Sequence, residues 1–444
     1  MTPTKRFTIA TIVFLVFFAL LFAGIYVYFS SEPPAPKLPP AEPTGPATPS
    51  LGLENLGVQP SQIPFSQPIL DDETGQRDDR VRTAPLSSNT GDASTEDKEN
   101  TPRLIRLFKG PTAGYRIAKK GDRWEVQVVE QGRGNRYIVQ TIPYTLTLAA
   151  RGEFTRTIEG YPFESGEALI LYESADDEGV IRSAFVPFST IGTGPSVQRF
   201  EDNIRVATNN KNLLFFMQVI ENKSVGVVVD VANPSETRVV WRSDFTSWIP
   251  RWGNSPRITL HTPVTNLMKG FVYLVDPKGI LPNEQFTSLN SGGSAFMDAT
   301  TGYFAVFETK ADNFAGKTYI TNRERSTMVD LPITLPEKCD AANGIFICAA
   351  PRAIPARTLS GYETMFPDSW YQGDITFSDV IVSVNAATGE KRLLLSPDQE
   401  EIQILSDNAV FDIMHPQLSP DGEFLFFVNK YDMSLWMLQI EGGV

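Results

Sequence analysis

Between residues 103 and 444 the chain repeats itself, and a repeat limits the possible folds more tightly than composition can. Each unit is an apolar strand, a polar turn and a second strand that opens with Gly or Ser just before a fixed position; 213–231 and 424–440 are two of them. Aligned on that position, the series is Tyr137, Arg182, Val227, Tyr273, Tyr319, Ile381 and Trp436, at intervals of 45, 45, 46, 46, 62 and 55 residues. The 62-residue interval contains an insertion at 351–373. Short alternating runs rich in Val, Ile, Phe, Tyr and Thr, broken by Gly, Asn, Asp and Pro, read as all-β. Seven units of about 45 residues, each long enough for four short strands, predict a seven-bladed β-propeller, with six or eight blades as neighbouring possibilities.

The two ends of this region fit each other. Most units continue into a further short strand, such as 237–241 or 391–395, yet only eight residues follow Trp436. An orphan apolar strand, 103–108, stands at the start. It is expected to complete the last blade and leave the ring without an open edge.

The last unit also carries a resemblance. Leu418-Ser419-Pro420-Asp421-Gly422-Glu423-Phe424, followed by Asp432 and Leu435-Trp436, resembles the WD40-like repeat of the TolB and dipeptidyl-peptidase propellers. There, Ser-Pro-Asp-Gly is the turn between a blade's first two strands. More broadly, 103–444 looks like membrane-anchored propeller proteins of small-genome uncultured bacteria, through Glu337-Lys338-Cys339, Ile347-Cys348-Ala349-Ala350-Pro351 and Pro367-Asp368-Ser369-Trp370-Tyr371-Gln372-Gly373. That group implies no established activity.

Two segments precede the repeats. Residues 7–29 are 23 uncharged, mostly apolar residues, enough to cross a hydrocarbon core of about 30 Å as a helix. Lys5 and Arg6 lie before this span and Glu32 is the first charge after it, so 1–6 is expected to be a cytoplasmic stub with the remainder outside the membrane. A cleaved signal peptide would need a shorter core and small residues at its end, where Tyr26-Val27-Tyr28-Phe29 stands. Residues 30–102 form a Pro-rich acidic linker: 31–102 holds 13 of the 33 prolines, 12 acidic and 5 basic residues, and Phe65 as its single aromatic. Such a composition cannot bury enough apolar surface to fold and is expected to act as a disordered tether. Its acidic cluster at 71–79 lacks the spacing of a calcium loop.

The only two cysteines locate themselves. Cys339 and Cys348 flank Asn343-Gly344, the strongest two-residue hairpin signal, and a turn there sets them directly opposite. That position puts them within disulfide range, in a compartment expected to be oxidising. The insertion supplies the candidate binding surface: Tyr362, Phe366, Trp370 and Tyr371 stand among turn residues, and loops on rigid scaffolds often carry function. The competing reading is that these rings fold back over the blade. Trp248, Trp252, His261 and His415 read as packing or structurally bonded residues of the blades.

Several chemistries are excluded or unsupported. Two His and two Cys cannot build a His-rich metal centre or a Cys-rich zinc module, and a net charge of −13 does not suit a nucleic-acid surface. No cofactor motif, serine elbow or paired CxxC occurs. The expected role is therefore non-catalytic: a membrane-anchored extracytoplasmic propeller binding an envelope protein or a wall polymer. The alternative is a carbohydrate-active enzyme using two carboxylates at the channel mouth, if such a pair converges beside aromatic rings.

Overall fold

The computed structural model describes residues 103–440, except 122, 142–143, 177–178, 191–196, 201–202, 254, 266–267, 292, 299, 311–312 and 398–409. The expected anchor and tether lie outside the described residues, among which no helix is long and apolar enough to cross a membrane.

Seven four-stranded antiparallel sheets form the blades. Blade I is β2 (Thr112–Lys120), β3 (Arg123–Glu130), β4 (Arg136–Thr141) and β5 (Tyr144–Ala150). Blade II is β6 (Thr157–Pro162), β7 (Glu167–Glu173), β8 (Ile181–Pro187) and β9 (Gln198–Arg199), and blade III is β10 (Val206–Asn210), β11 (Leu213–Ile220), β12 (Lys223–Asp230) and β13 (Thr237–Ser243). Blade IV is β14 (Ile249–Arg251), β15 (Ile258–His261), β16 (Lys269–Val275) and β17 (Glu284–Ser291), and blade V is β18 (Ser294–Met297), β19 (Phe304–Lys310), β20 (Asn313–Thr321) and β21 (Met328–Leu331). Blade VI is β22 (Cys339–Ala342), β23 (Ile345–Pro351), β24 (Asp379–Asn385) and β25 (Lys391–Leu395). Blade VII is β26 (Ile413–Leu418), β27 (Phe424–Asn429), β28 (Leu435–Gln439) and, from the start of the fold, β1 (Leu104–Phe108).

All seven aligned positions of the sequence repeat fall in the third strand of their blades. The period is thus the blade itself. Ser419-Pro420-Asp421-Gly422 makes the turn between β26 and β27, as the WD40-like resemblance implies. There the Ser419 hydroxyl accepts from Phe424 N at 3.0 Å and lies 2.6 Å from Asp421 Oδ1.

The core is divided into apolar layers between neighbouring blades. One layer joins Val126, Val128 and Val139 of blade I to Leu107, Phe426 and Met437 of blade VII; another joins Leu169 and Phe185 of blade II to Phe216 and Val227 of blade III. Alternating strands supply both layers at once, because successive side chains point to opposite faces of the sheet. Blades I and II approach backbone to backbone: a Cβ on Gly114 would stand 1.9 Å from the Gly160 carbonyl oxygen.

The predicted closure is present. β1 pairs with β28 through Leu104↔Leu438, Ile105↔Met437 and Arg106↔Trp436, and Leu107 is fully buried. Blade VII is further tied to blade I by Lys119 Nζ to Asp421 Oδ2 at 3.0 Å, and by the Tyr115 hydroxyl donating to the His415 carbonyl at 2.6 Å. The Asn343-Gly344 hairpin is also as expected: both residues have positive φ, 52° and 81°, and Cys339 pairs with Cys348 across the strands. The two form a disulfide with their Cα atoms 4.1 Å apart.

If β1 locks the ring, deleting 103–108 should strongly lower the thermal midpoint of the propeller. An unchanged midpoint by circular dichroism would refute the locking role.

Candidate functional site

The insertion links β23 to β24 and lies at the end of the ring where the first strands of the blades begin. Its sequence divides into an apolar base and a polar tip, and the structure treats the two differently. Phe366 and Trp370 are 1% and 5% exposed, packed with Phe377 and Ile375 against Phe307 of blade V and Val264 of blade IV. Tyr371 is half-buried and Tyr362 exposed. The four rings therefore do not form one surface: Phe366 and Trp370 are anchors, which corrects the expectation that they face a partner. The physical reason is apolar area, since a covered end of the ring is more favourable than two large rings in water.

Burial of Trp370 is enforced by a charged lattice. Lys338, in a 3-10 turn just before β22, reaches Asp379 Oδ2 at 2.5 Å and Asp412 Oδ1 at 2.7 Å. Trp370 Nε1 lies 3.0 Å from both Asp412 oxygens, Phe377 N donates to Asp412 Oδ2 at 3.1 Å, and Ile413 N donates to Asp379 Oδ2 at 2.7 Å. Lys430 lies 4.2 Å from the Trp370 ring centroid and donates to its carbonyl. Lys338 and the two carboxylates thus offset one another out of water, with the half-buried Lys430 beside them. Burial alone would lower the Lys338 pKa, but Asp379 and Asp412 outweigh it and hold the ammonium above its usual value. Burial raises the Asp379 carboxyl above the carboxylate range, with Lys338 opposing, and pushes Lys430 down to about 8.

This is the place where two carboxylates converge beside aromatic rings. Both are fully buried: Asp412 is bonded by Lys338, Trp370 and Phe377 N, and Asp379 through Oδ2 by Lys338 and Ile413 N, while Asp379 Oδ1 has no hydrogen-bond partner. Their arrangement suits holding the insertion rather than acid–base work on a sugar.

A second polar cluster faces the centre of the ring. Arg251, at the end of β14, donates to the carbonyls of Pro336 and Cys339, and its Cζ lies 3.8 Å from the Phe296 ring centroid. Blade IV is thereby joined to the entry of blade VI across blade V. Asp340 Oδ2 accepts from Leu418 N at 2.7 Å. His261 lies with Nδ1 3.0 Å from the Thr262 carbonyl and Nε2 3.5 Å from Glu337 Oε1, and the Tyr371 hydroxyl is held well above its usual pKa by burial and by Glu337. His415 has φ 51° at a bulge in β26; desolvation by the protein packed around it, aided by the charge of Arg251, lowers its pKa to about 4 although part of the side chain reaches water. Among the described residues no group of three or more His, Cys, Asp or Glu could hold a metal ion. Trp248 and Trp252 are blade-packing residues, both buried. The acidic run at 398–401 lies outside the described residues, as do Asp177 and Glu178.

Sequence reasoning missed the lattice. Its signal was an acid at each strand entry with apolar neighbours, Phe377-Ser378-Asp379-Val380 and Phe411-Asp412-Ile413, since buried carboxylates need partners.

No family model matches the chain, and no curated protein matches it. Among solved structures it is similar to the tricorn protease, at 11% identity and a TM-score of 0.46, over 78% of this chain and 35% of that one. It is also similar to a puromycin-hydrolysing peptidase of Mycobacterium tuberculosis, at 12% and 0.43, over 72% and 52% of the two chains. The β-propeller domain of the trilobed protease from Pyrococcus furiosus gives 10% and 0.41, over 74% and 96%. The chain spans about a third of the first and half of the second. The fold assignment rests on the seven sheets and their closure rather than on these likenesses.

Two predictions follow from the charges. Lys338→Met leaves two buried carboxylates unpaired and should cost about 3–5 kcal/mol in urea denaturation; a loss below 1 kcal/mol would contradict the lattice. His415 stays neutral in the fold where the unfolded chain takes up a proton, so its contribution is present above about pH 6.5 and lost as pH falls towards 4. His415→Asn, tolerant of the same backbone conformation, should lose less stability than the parent over that interval, read by denaturation at each pH.

Proposed function

We propose that the chain is a membrane-anchored, extracytoplasmic propeller that binds another envelope molecule, most fittingly a protein, without catalysing a reaction. The observation that carries this reading is the tip of the insertion. A tight hairpin, with Arg357 bridged to Glu363 and Thr358 N bonded to the Tyr362 carbonyl at 2.8 Å, displays Leu359 and Tyr362 at 83% and 76% exposure. Leu359 N donates to the Asp374 carbonyl at 3.0 Å, so the tip is tied to its own base. The base in turn is fixed by Trp370 and the Lys338 lattice. Two apolar side chains held rigidly in water lose little conformational freedom on binding, which favours them as contact residues. Tyr431, 62% exposed on the β27–β28 connection next to Lys430, adds a third.

The cellular placement is supported by the apolar span at 7–29 and by the disulfide, a bond that persists in oxidising compartments. A wall polymer remains the other candidate partner. The carbohydrate-active alternative gains nothing from the Asp379–Asp412 pair, which is committed to Lys338.

Cross-linking in intact cells, comparing the parent with a Leu359→Ala/Tyr362→Ala double variant, tests the reading. A specific partner recovered with the parent and lost with the variant, at unchanged thermal midpoint, is the expected result. Equal recovery of the same partner by both, or no specific partner with the parent, would overturn it.

A further inference from the structure

The charges of the lattice do not balance out of water. Asp379 and Asp412, both with side chains 0% exposed, share the single ammonium of Lys338, so the buried trio carries one negative charge in excess. Lys430, the neighbouring cation, is half-buried and is spent on the ring and the carbonyl of Trp370. Trp370 and Phe377, stacked with their centroids 6.3 Å apart, both lie against Lys338 and keep solvent from the excess charge. A net charge held this way is costly, and uptake of a proton removes it.

The two carboxylates are not equal candidates for that proton. Asp412 accepts from Lys338 and Trp370 Nε1 on Oδ1, and from Trp370 Nε1 and Phe377 N on Oδ2. Asp379 takes both of its donors, Lys338 and Ile413 N, on Oδ2, while Oδ1 is buried with no hydrogen-bond partner. A proton can settle on that oxygen without displacing a donor. Among the described residues, the charged groups facing Asp379 come from three connections. Lys338, in the turn before β22, opposes the proton; Asp412, leading into β26, favours it; Lys430, after β27, faces it beyond Asp412.

We infer that Asp379 is the proton-binding group of the lattice, and that its protonation tightens the hold on the insertion. With Asp379 neutral, Lys338 is committed to Asp412, the carboxylate that holds Trp370 and Phe377. The two ends of the insertion meet at this point, since Arg352 N donates to the Ser378 carbonyl at 3.0 Å, next to Asp379. The Leu359–Asp374 bond carries the state of the base to the tip. Burial raises the Asp379 carboxyl above its usual value, so the closed insertion binds the proton more tightly than an opened one. Closure therefore gains stability as pH falls through that raised value towards the ordinary carboxylate range, and has none of this gain above it. The latch stands on these contacts alone; its effect on binding rests on the reading of the tip as a contact surface, where firmer ordering in acid lowers the cost of association.

Hydrogen exchange on the full chain in detergent, from pH 7.5 to 4.5 and corrected for the intrinsic pH dependence of exchange, tests the latch. Protection of the Leu359, Thr364 and Asp374 amides should rise on acidification, by up to about tenfold per pH unit for one proton. Amides of β11 and β19 serve as the reference, which separates any global change, the titration of His415 included. Asp379→Asn replaces the protonated acid by a neutral group of the same shape; at a retained thermal midpoint it should hold the parent's acid-level protection at every pH. Lys430→Met removes a facing cation and should move the rise to higher pH, whatever its effect on the level of protection. A flat profile in the parent overturns the inference, as does a rise that persists in Asp379→Asn or stays at the parent's pH in Lys430→Met. No partner takes part in this experiment, so its failure leaves the cross-linking result standing, and the reverse holds equally.

Discussion

A ring of sheets holds only if its last blade meets its first, and here five residues perform that junction. β1 comes from the start of the fold and finishes the blade made by its end, so closure of the ring depends on the strand pairing of greatest sequence separation among the described residues. Without it, blade VII would lack its outer strand and the layer containing Leu107 and Phe108 would be half empty. Lys119–Asp421 and Tyr115–His415 support the same junction from the rim and from the centre. The rest of the architecture can then be modular: each blade needs only its neighbours.

Within that frame, the charges hold elements in place more than they do chemistry. Arg251 spans from blade IV to the entry of blade VI, and Lys338 gathers one carboxylate from blade VI and one from the connection into blade VII. Buried ion pairs add little net stability compared with apolar packing, but an unpaired member is costly, so they fix one arrangement against alternatives. In this case the arrangement is the position of the insertion. A hairpin tip that would otherwise sample many orientations becomes part of a rigid surface.

The sequence was most legible where the physics is local. The period of the units, the Asn-Gly turn with its facing cysteines, and the orphan strand at 103–108 each depend on patterns within a few dozen residues, and each corresponds to what the fold contains. The insertion was legible as an interruption but not in its direction. Whether Trp370 turns inward depends on Asp412, 42 residues away, and on Lys338 in a different connection. Tyr362 looks no different from Trp370 in local sequence; only the long-range lattice separates an anchor from an exposed ring.

The closing strand also has a mechanical meaning. Any pull on the chain ahead of Arg103 is delivered first to β1, the one strand whose release opens the ring. Force applied to a central strand of another blade would be shared among its neighbours, whereas force on β1 is borne by a five-residue ladder and its apolar backing. The propeller is therefore most easily opened from its first strand, and its resistance to tension applied there is a property of that ladder.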